Sequence, residues 1–229
     1  MSQNEIKLSQ RLQKVANFVP ENARIADIGS DHAYLPVALV DSGKIDFAVA
    51  GEVVKGPFES AKNQVSSSNL TEKIIVRLAN GIAAFDENDK IDTVVTAGMG
   101  GILISEILQA DLNKLKTVET LILQPNNHED TLRKFLMEHD FTIAAEAILE
   151  ETGKIYEIIV AKHGKMKYSE TELKYGPFLL QEKSAIFIKK WQKELQTLQK
   201  VYGKLPENHS KRTEIKRKIS EIGAILHEN

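Results

Sequence analysis

Over the first 160 residues, short apolar runs alternate with longer stretches whose apolar positions recur every three or four residues. Ile6, Leu8, Leu12, Val15 and Phe18 sit at roughly helical spacing and predict an opening helix over residues 5–18, closed by Pro20. Arg24–Ile28 is a compact apolar run ended by Gly29 and reads as a strand. The same pattern predicts strands at Phe47–Ala50, Ile74–Leu78, Thr93–Ala97 and Thr120–Leu123. Helices are expected between them at Tyr34–Ser42, Phe58–Ser66, Ile102–Leu108 and Glu129–His139. Pro36 falls in a first helical turn, where a missing N–H is tolerated. Thr142–Glu150 and Tyr156–Lys162 flank Thr152–Gly153 and predict an antiparallel hairpin.

Strands alternating with helices make a parallel sheet covered on both faces. The expected fold is therefore α/β, a doubly wound Rossmann-like sheet, parallel with one antiparallel strand. After Gly164 the pattern changes. Leu180, Phe187, Trp191, Leu195, Leu198 and Tyr202 recur at helical intervals, Gly203 and Pro206 interrupt, and Ile215, Ile219, Ile222 and Leu226 resume. This predicts an antiparallel helical pair of coiled-coil type. Two domains are expected, 1–164 and 165–229.

The chain has 229 residues, 42% apolar and 27% charged, which suits a folded domain with an appendage. It contains no Cys, which excludes disulfides, thiol nucleophiles and Cys-based zinc sites. The first fifteen residues lack an apolar signal core, and no run of 18 apolar residues occurs, so a soluble, cytoplasmic protein with no membrane partner is expected. The net charge of −2 hides an acidic body, −8 over residues 1–164, and a basic tail, +6 over 165–229. Such asymmetry points to a polyanionic partner, with a merely solvated lysine-rich helix surface as the alternative. None of the six histidines is paired at metal-binding spacing, so no metal is expected.

Function in doubly wound sheets sits beyond the C-terminal strand ends. The first ends in Asp27-Ile28-Gly29-Ser30-Asp31-His32. Gly29 allows a tight turn, but Asp31 stands where a dinucleotide fingerprint has its second glycine. A carboxylate there repels a pyrophosphate and disfavours nicotinamide and flavin cofactors. A cationic ligand without phosphate, such as S-adenosylmethionine, suits Asp27 and Asp31; Asp31 as a helix cap is the alternative. Glu52, 25 residues after Asp27, is placed to accept ribose hydroxyls. Asn80 could pair with an adenine edge beside Gly81, or the two could form a plain turn. Gly98-Met99-Gly100-Gly101 either clears space for a ligand or packs the next helix closely. Asn126 and Asn127 either read a base edge or cap a helix.

The strings IADIGSDHAYLP at 25–36, TAGMGG at 96–101 and LQPNN at 123–127, followed by a helical pair, resemble the bacterial tRNA (adenine-22-N1)-methyltransferase family over essentially the whole chain. The resemblance implies an S-adenosylmethionine-dependent enzyme that methylates N1 of an adenine in the D arm of tRNA. It implies cofactor contacts from Asp27, Gly29, Asp31, His32, Glu52, Val53, Asn80, Gly81, Gly98 and Met99. The helical tail is then expected to hold tRNA through Lys189, Lys190, Lys193, Lys211, Arg212, Lys216, Arg217 and Lys218.

Adenine N1 carries an in-plane lone pair and loses no proton on attack, so no strong general base is expected. Tyr34 and Met99 are candidates to sandwich the base, and Asn126 to read its exocyclic amine. A monomer is expected. Two other readings compete: a methyltransferase of small metabolites, which leaves the basic tail unexplained, and a non-catalytic RNA- or protein-binding scaffold, which leaves the strand ends unexplained.

Overall fold

The computed structural model describes residues 6–227. Seven strands form one sheet in the order β3-β2-β1-β4-β5-β7-β6, where β1 is Arg24–Ile28, β2 Phe47–Glu52, β3 Ile74–Leu78, β4 Thr93–Met99, β5 Thr120–Pro125, β6 Phe141–Glu151 and β7 Lys154–His163. The first five run parallel; β7 pairs antiparallel with both β5 and β6. The expected mixed sheet is present, with the chain order reversing between β1 and β4. That reversal is where a crevice opens in such sheets.

Helices α1 (Gln10–Phe18), α2 (Tyr34–Asp41) and α3 (Lys55–Ser67) lie over one face. Helices α4 (Gly101–Gln109) and α5 (Glu129–Glu138) lie over the other. Alternation along the strands feeds both layers: Val95 and Ile122 pack with Val15, Leu35 and Leu39, while Val94, Leu121 and Leu123 pack with Ile104, Leu108 and Leu132.

The opening helix starts later than the spacing predicted. Residues 6–9 are not helical, and residue 5 lies outside the described residues. Ser9 adopts an extended conformation, and its hydroxyl accepts from the Leu12 N–H, which fixes the helix start at Gln10. Strands β2, β4 and β5 run up to two residues beyond their apolar runs, so Glu52, Gly98, Met99 and Gln124 lie on strands rather than past them.

Two compact units divide the chain at Leu180/Gln181, later than the expected change at residue 164. The reason is a buried ion cluster. Arg133 of α5 donates to Glu146 Oε1 at 2.7 Å, to Glu157 Oε2 at 2.5 Å and to the Leu173 carbonyl at 3.2 Å. The other Glu146 oxygen accepts from the N–H groups of Phe178 and Leu179. Helix α6 (Glu170–Tyr175) and the start of α7 (Pro177–Glu182) are thereby held in the first unit.

The second unit contains α8 (Ala185–Lys204) and α9 (Arg212–His227), which pack on one another as a hairpin. Gly203 does not interrupt α8; the break comes at Leu205–Pro206. Among the described residues no helix is long and apolar enough to cross a membrane.

Candidate active site

Strand β1 delivers Asp27 to the crevice almost fully buried, with the Ser30 hydroxyl donating to its Oδ2 at 2.5 Å. Burial pushes the Asp27 carboxyl up to about 7, against the Ser30 hydrogen bond; the nearby Glu52 and Asp31 carboxylates push it the same way as burial. The backbone then turns sharply. Gly29 has φ of 70°, and the N–H groups of Gly29 and Ser30 both donate to the Gly51 carbonyl at the end of β2.

Asp31, His32 and Ala33 follow with φ of 42°, 67° and 57°, three successive non-glycine residues in the left-handed region. Each is disfavoured by about 1–2 kcal/mol, so the turn persists only because its surroundings hold it. The clamp is Glu52, whose Oε1 accepts the Asp31 N–H at 2.5 Å. Burial raises the Glu52 pKa, and the Asp31 hydrogen bond opposes that shift. Helix α2 then begins on Ala33 with no side-chain cap, so Asp31 is not the cap that was the alternative. Its carboxylate stays exposed, 3.5 Å from His32 Nε2, and the His32 ring stacks on Tyr34.

Val53 stands exposed just past β2, and Leu78 exposed at the end of β3. Asn80 is exposed with no side-chain cap, and Gly81 opens a 3-10 turn at φ of 56° against Ile107. Apolar surface and a free amide thus adjoin the acidic strand ends.

At the end of β4, the run Gly98–Gly101 divides between clearing space and close packing. A side chain on Gly101 would collide with the His128 carbonyl, and one on Gly100 would meet Asn127 Oδ1 at 2.9 Å. Those two pack the start of α5 closely. Gly98, at φ of 83°, is exposed and breaks the register between β4 and β5. Met99 reaches across to β1, where its methyl carbon fills the place of a Cβ on Gly29.

Asn126 caps nothing; His128, in the left-handed region, begins α5 without a side-chain cap. Instead the Asn126 N–H donates to the Met99 carbonyl at 2.7 Å, and its Nδ2 donates to the Gly98 carbonyl at 2.6 Å. Two residues that sequence reasoning missed complete this corner. Gln124, fully buried, accepts through Oε1 from the Gly98 N–H at 3.0 Å and from Arg11 Nη1 at 2.5 Å. A glutamine closing the otherwise apolar run Leu121–Leu123 was a visible signal; Arg11, 113 residues away on α1, left none.

The structure therefore gathers Asp27, Gly29, Asp31, His32, Glu52 and Met99 around one turn, with Tyr34 beside His32 and with Gly98 and Asn126 joined next to Met99. Three carboxylates and no cradle of glycine N–H groups fit a cationic ligand without phosphate. Among the described residues no group of three or more His, Asp or Glu could hold a metal ion.

In the second unit, Lys189, Lys193, Lys211, Lys216 and Arg217 are exposed. Lys190 lies over the Trp191 ring, and Lys218 pairs with Glu214 at 2.7 Å. Arg212 is used differently: it stacks on Tyr202 and donates to the carbonyls of Tyr202 and Leu205, closing the hairpin.

The sequence profile of the tRNA (adenine(22)-N(1))-methyltransferase family matches residues 25–224. The chain belongs to that family. A Bacillus subtilis (strain 168) tRNA (adenine(22)-N(1))-methyltransferase is 46% identical over 210 residues, covering 89% of this chain and 88% of that protein. Streptococcus pneumoniae Sp1610, solved in complex with S-adenosyl-L-methionine, is 50% identical with a TM-score of 0.91 over 96% of this chain and 100% of its own. M. capricolum TrmK, solved with S-adenosyl-homocysteine, is 30% identical with a TM-score of 0.87 over 96% and 97%. The fold is thus shared with solved structures that are 30% and 50% identical to this chain.

Proposed function

We infer that this protein transfers a methyl group from S-adenosylmethionine to N1 of adenine 22 in the D arm of tRNA. The observation that carries the reading is the join at Met99. Its side chain lies on Gly29 at the acidic strand end, while its carbonyl and that of Gly98 anchor Asn126. One residue thus links the place for a cationic cofactor to an amide able to meet a base.

When bound, S-adenosylmethionine supplies a methyl group on a sulfonium centre. Asp27, Asp31 and Glu52 supply the negative field for its cationic groups. Val53, Leu78, Asn80 and Gly81 offer apolar surface and one amide for its adenine. The target base must be turned out of its stack, at a cost of a few kcal/mol. Tyr34, 40% exposed beside His32, and Met99, lying against Gly29, are suited to hold the base. Because N1 attacks with its own lone pair, the residues need only orient it, keep water out and leave N1 unbonded. Orientation alone can supply on the order of 7–11 kcal/mol.

Exposed lysines of α8 and α9 are assigned to tRNA phosphates, with Arg212 kept for the hairpin. A cytoplasmic, monomeric protein that acts on tRNA is part of this reading.

The decisive experiment is transfer from labelled S-adenosylmethionine to unmodified tRNA, with the product nucleoside identified by mass and retention. N1-methyladenosine, lost when adenine 22 is replaced, is the expected result. Cofactor binding without transfer to tRNA would favour a small-molecule acceptor; no cofactor binding would favour a scaffold.

A further inference from the structure

The amides of Gln124 and Asn126 have their polarity fixed by the main chain of a single residue. The Gly98 N–H can only donate, so the Gln124 atom 3.0 Å away must be its oxygen. The Gly98 carbonyl can only accept, so the Asn126 atom 2.6 Å away must be its nitrogen. Gln124 then has its Nε2 directed to the Pro125 carbonyl at 2.8 Å and to Asn126 Oδ1 at 3.3 Å. The ring closes on itself: Gly98 to Gln124, Gln124 to Asn126, Asn126 back to Gly98.

Arg11 enters from outside this ring. Its Nη1 donates to the same Gln124 oxygen at 2.5 Å, a charge-assisted bond that a flipped amide would turn into a clash of donors. The helix carrying it is itself tethered, because Glu151 of β6 accepts the Gln10 N–H at 2.5 Å. Among the described residues no carboxylate pairs with the Arg11 guanidinium, so its strongest fixed partner is the Gln124 amide.

Gln124 is wholly buried, whereas Asn126 is exposed. The buried amide therefore lies behind the exposed one and, together with the Gly98 carbonyl, holds it in a single orientation. With Nδ2 held on Gly98, Asn126 Oδ1 keeps one lone pair beyond its bond to Gln124. A lone pair can accept from an exocyclic N–H of adenine and leaves ring N1 unengaged.

We propose that Gln124 and Arg11 are positioning residues that, with the Gly98 carbonyl, hold the Asn126 amide in one orientation and leave an Oδ1 lone pair for the base, so that the site selects a purine bearing an exocyclic amine. The proposal rests on the tRNA adenine reading above.

The test compares single-turnover methylation of two tRNAs, one with adenine at the target position and one with unsubstituted purine there. The ratio of the two rates is taken for each protein, so the intrinsic difference in ring nucleophilicity cancels between proteins. Gln124→Glu keeps acceptors for Gly98 and Arg11 but turns an oxygen toward Asn126 Oδ1, so Asn126 cannot keep both of its bonds. The rate ratio is expected to fall about tenfold from the wild-type value in Gln124→Glu and in Asn126→Ala, the worth of one neutral hydrogen bond. Arg11→Ala, on a half-exposed helix surface and thus compatible with folding, should lower the ratio partway, and Arg11→Lys should restore most of it. Binding of tRNA and of S-adenosylmethionine should stay within about twofold throughout.

A ratio unchanged in Gln124→Glu and Arg11→Ala, even with slower transfer, would overturn the proposal, because a purely structural role slows both substrates alike. Wild-type protein that forms no N1-methyladenosine on the adenine tRNA would instead overturn the reading beneath it.

Discussion

The methyl carbon of Met99 occupies the space where a side chain on Gly29 would begin. The contact joins the ends of β1 and β4, the two strands between which the chain order reverses. It makes Gly29 necessary twice, for its φ of 70° and for the room it leaves.

Gly29→Ala should therefore displace Met99 and strain the turn that carries Asp31 and His32. The expected outcome is a loss of S-adenosylmethionine affinity of at least about tenfold, measured by calorimetry, since misplacing a ligand-facing turn costs more than one hydrogen bond. Adding Met99→Ala should remove the collision but not the φ penalty, so affinity recovers only in part. Full recovery would show that space alone matters at this position.

The Asp27 carboxyl gives the site a pH dependence of definite sign. Its pKa is raised from 3.8 to about 7, chiefly by burial, so the fold favours the neutral acid. Its contribution to stability is present below the unfolded value and is lost as pH rises through about 7. A cationic ligand favours the ionised acid. Affinity for S-adenosylmethionine should thus rise with pH and level off above about 7, with a proton released on binding at pH 6. Burial raises the Glu52 pKa as well, so its response to a cation has the same sign. Calorimetry in buffers of different ionisation enthalpy measures this proton directly, and Asp27→Asn should remove most of it.

The basic hairpin predicts a salt signature. If Lys189, Lys193 and Lys216 contact phosphates, reversing any one of them to Glu should weaken tRNA binding about equally for all tRNA sequences. Each reversal should also lower the slope of log affinity against log salt by about 1. Arg212→Ala should act otherwise. It removes the bonds to Tyr202 and Leu205, so the loss is expected in helix content and thermal midpoint of the second unit. Methyl transfer to tRNA at several salt concentrations, beside thermal melts, separates the two effects.

The sheet was legible because buried parallel strands write themselves as short apolar runs, and every such run became a strand. The acidic strand ends were legible for a chemical reason: Asp31 stands where a phosphate-binding glycine would be. What the sequence concealed was contact across distance. Nothing near Arg11 in the chain points to Gln124, and nothing near Glu52 says that it clamps the Asp31 turn. The helix-cap alternatives at Asn126 and Asp31 were excluded by backbone conformation. His128 and Ala33 take the helix starts in left-handed geometry, which the sequence does not announce for either residue. The boundary between the units lies at 180 rather than 164 because Arg133 on α5 and Glu146 on β6 bind the backbone of Leu173, Phe178 and Leu179, contacts that no local pattern announces.

That arginine carries the strongest stability prediction. Arg133 is fully buried between Glu146 and Glu157, and its own charge is held by theirs. Arg133→Met fills similar volume but strips two buried carboxylates of their shared cation. Removing one member of a buried ion cluster costs about 3–5 kcal/mol, well above the effect of an ordinary surface change. The cost must also depend on pH. Burial already raises the Glu146 pKa against the lowering effect of Arg133. Without the arginine, the Glu146 carboxyl is driven further toward the neutral form, so the folded variant binds more protons than its unfolded chain. Its stability should therefore improve as pH falls from 8 to 5, whereas a cavity or packing defect would be indifferent to pH. Denaturant unfolding of wild type and variant at both values measures the difference, and a destabilisation of equal size at both would mean that volume, not charge, is what Arg133 provides.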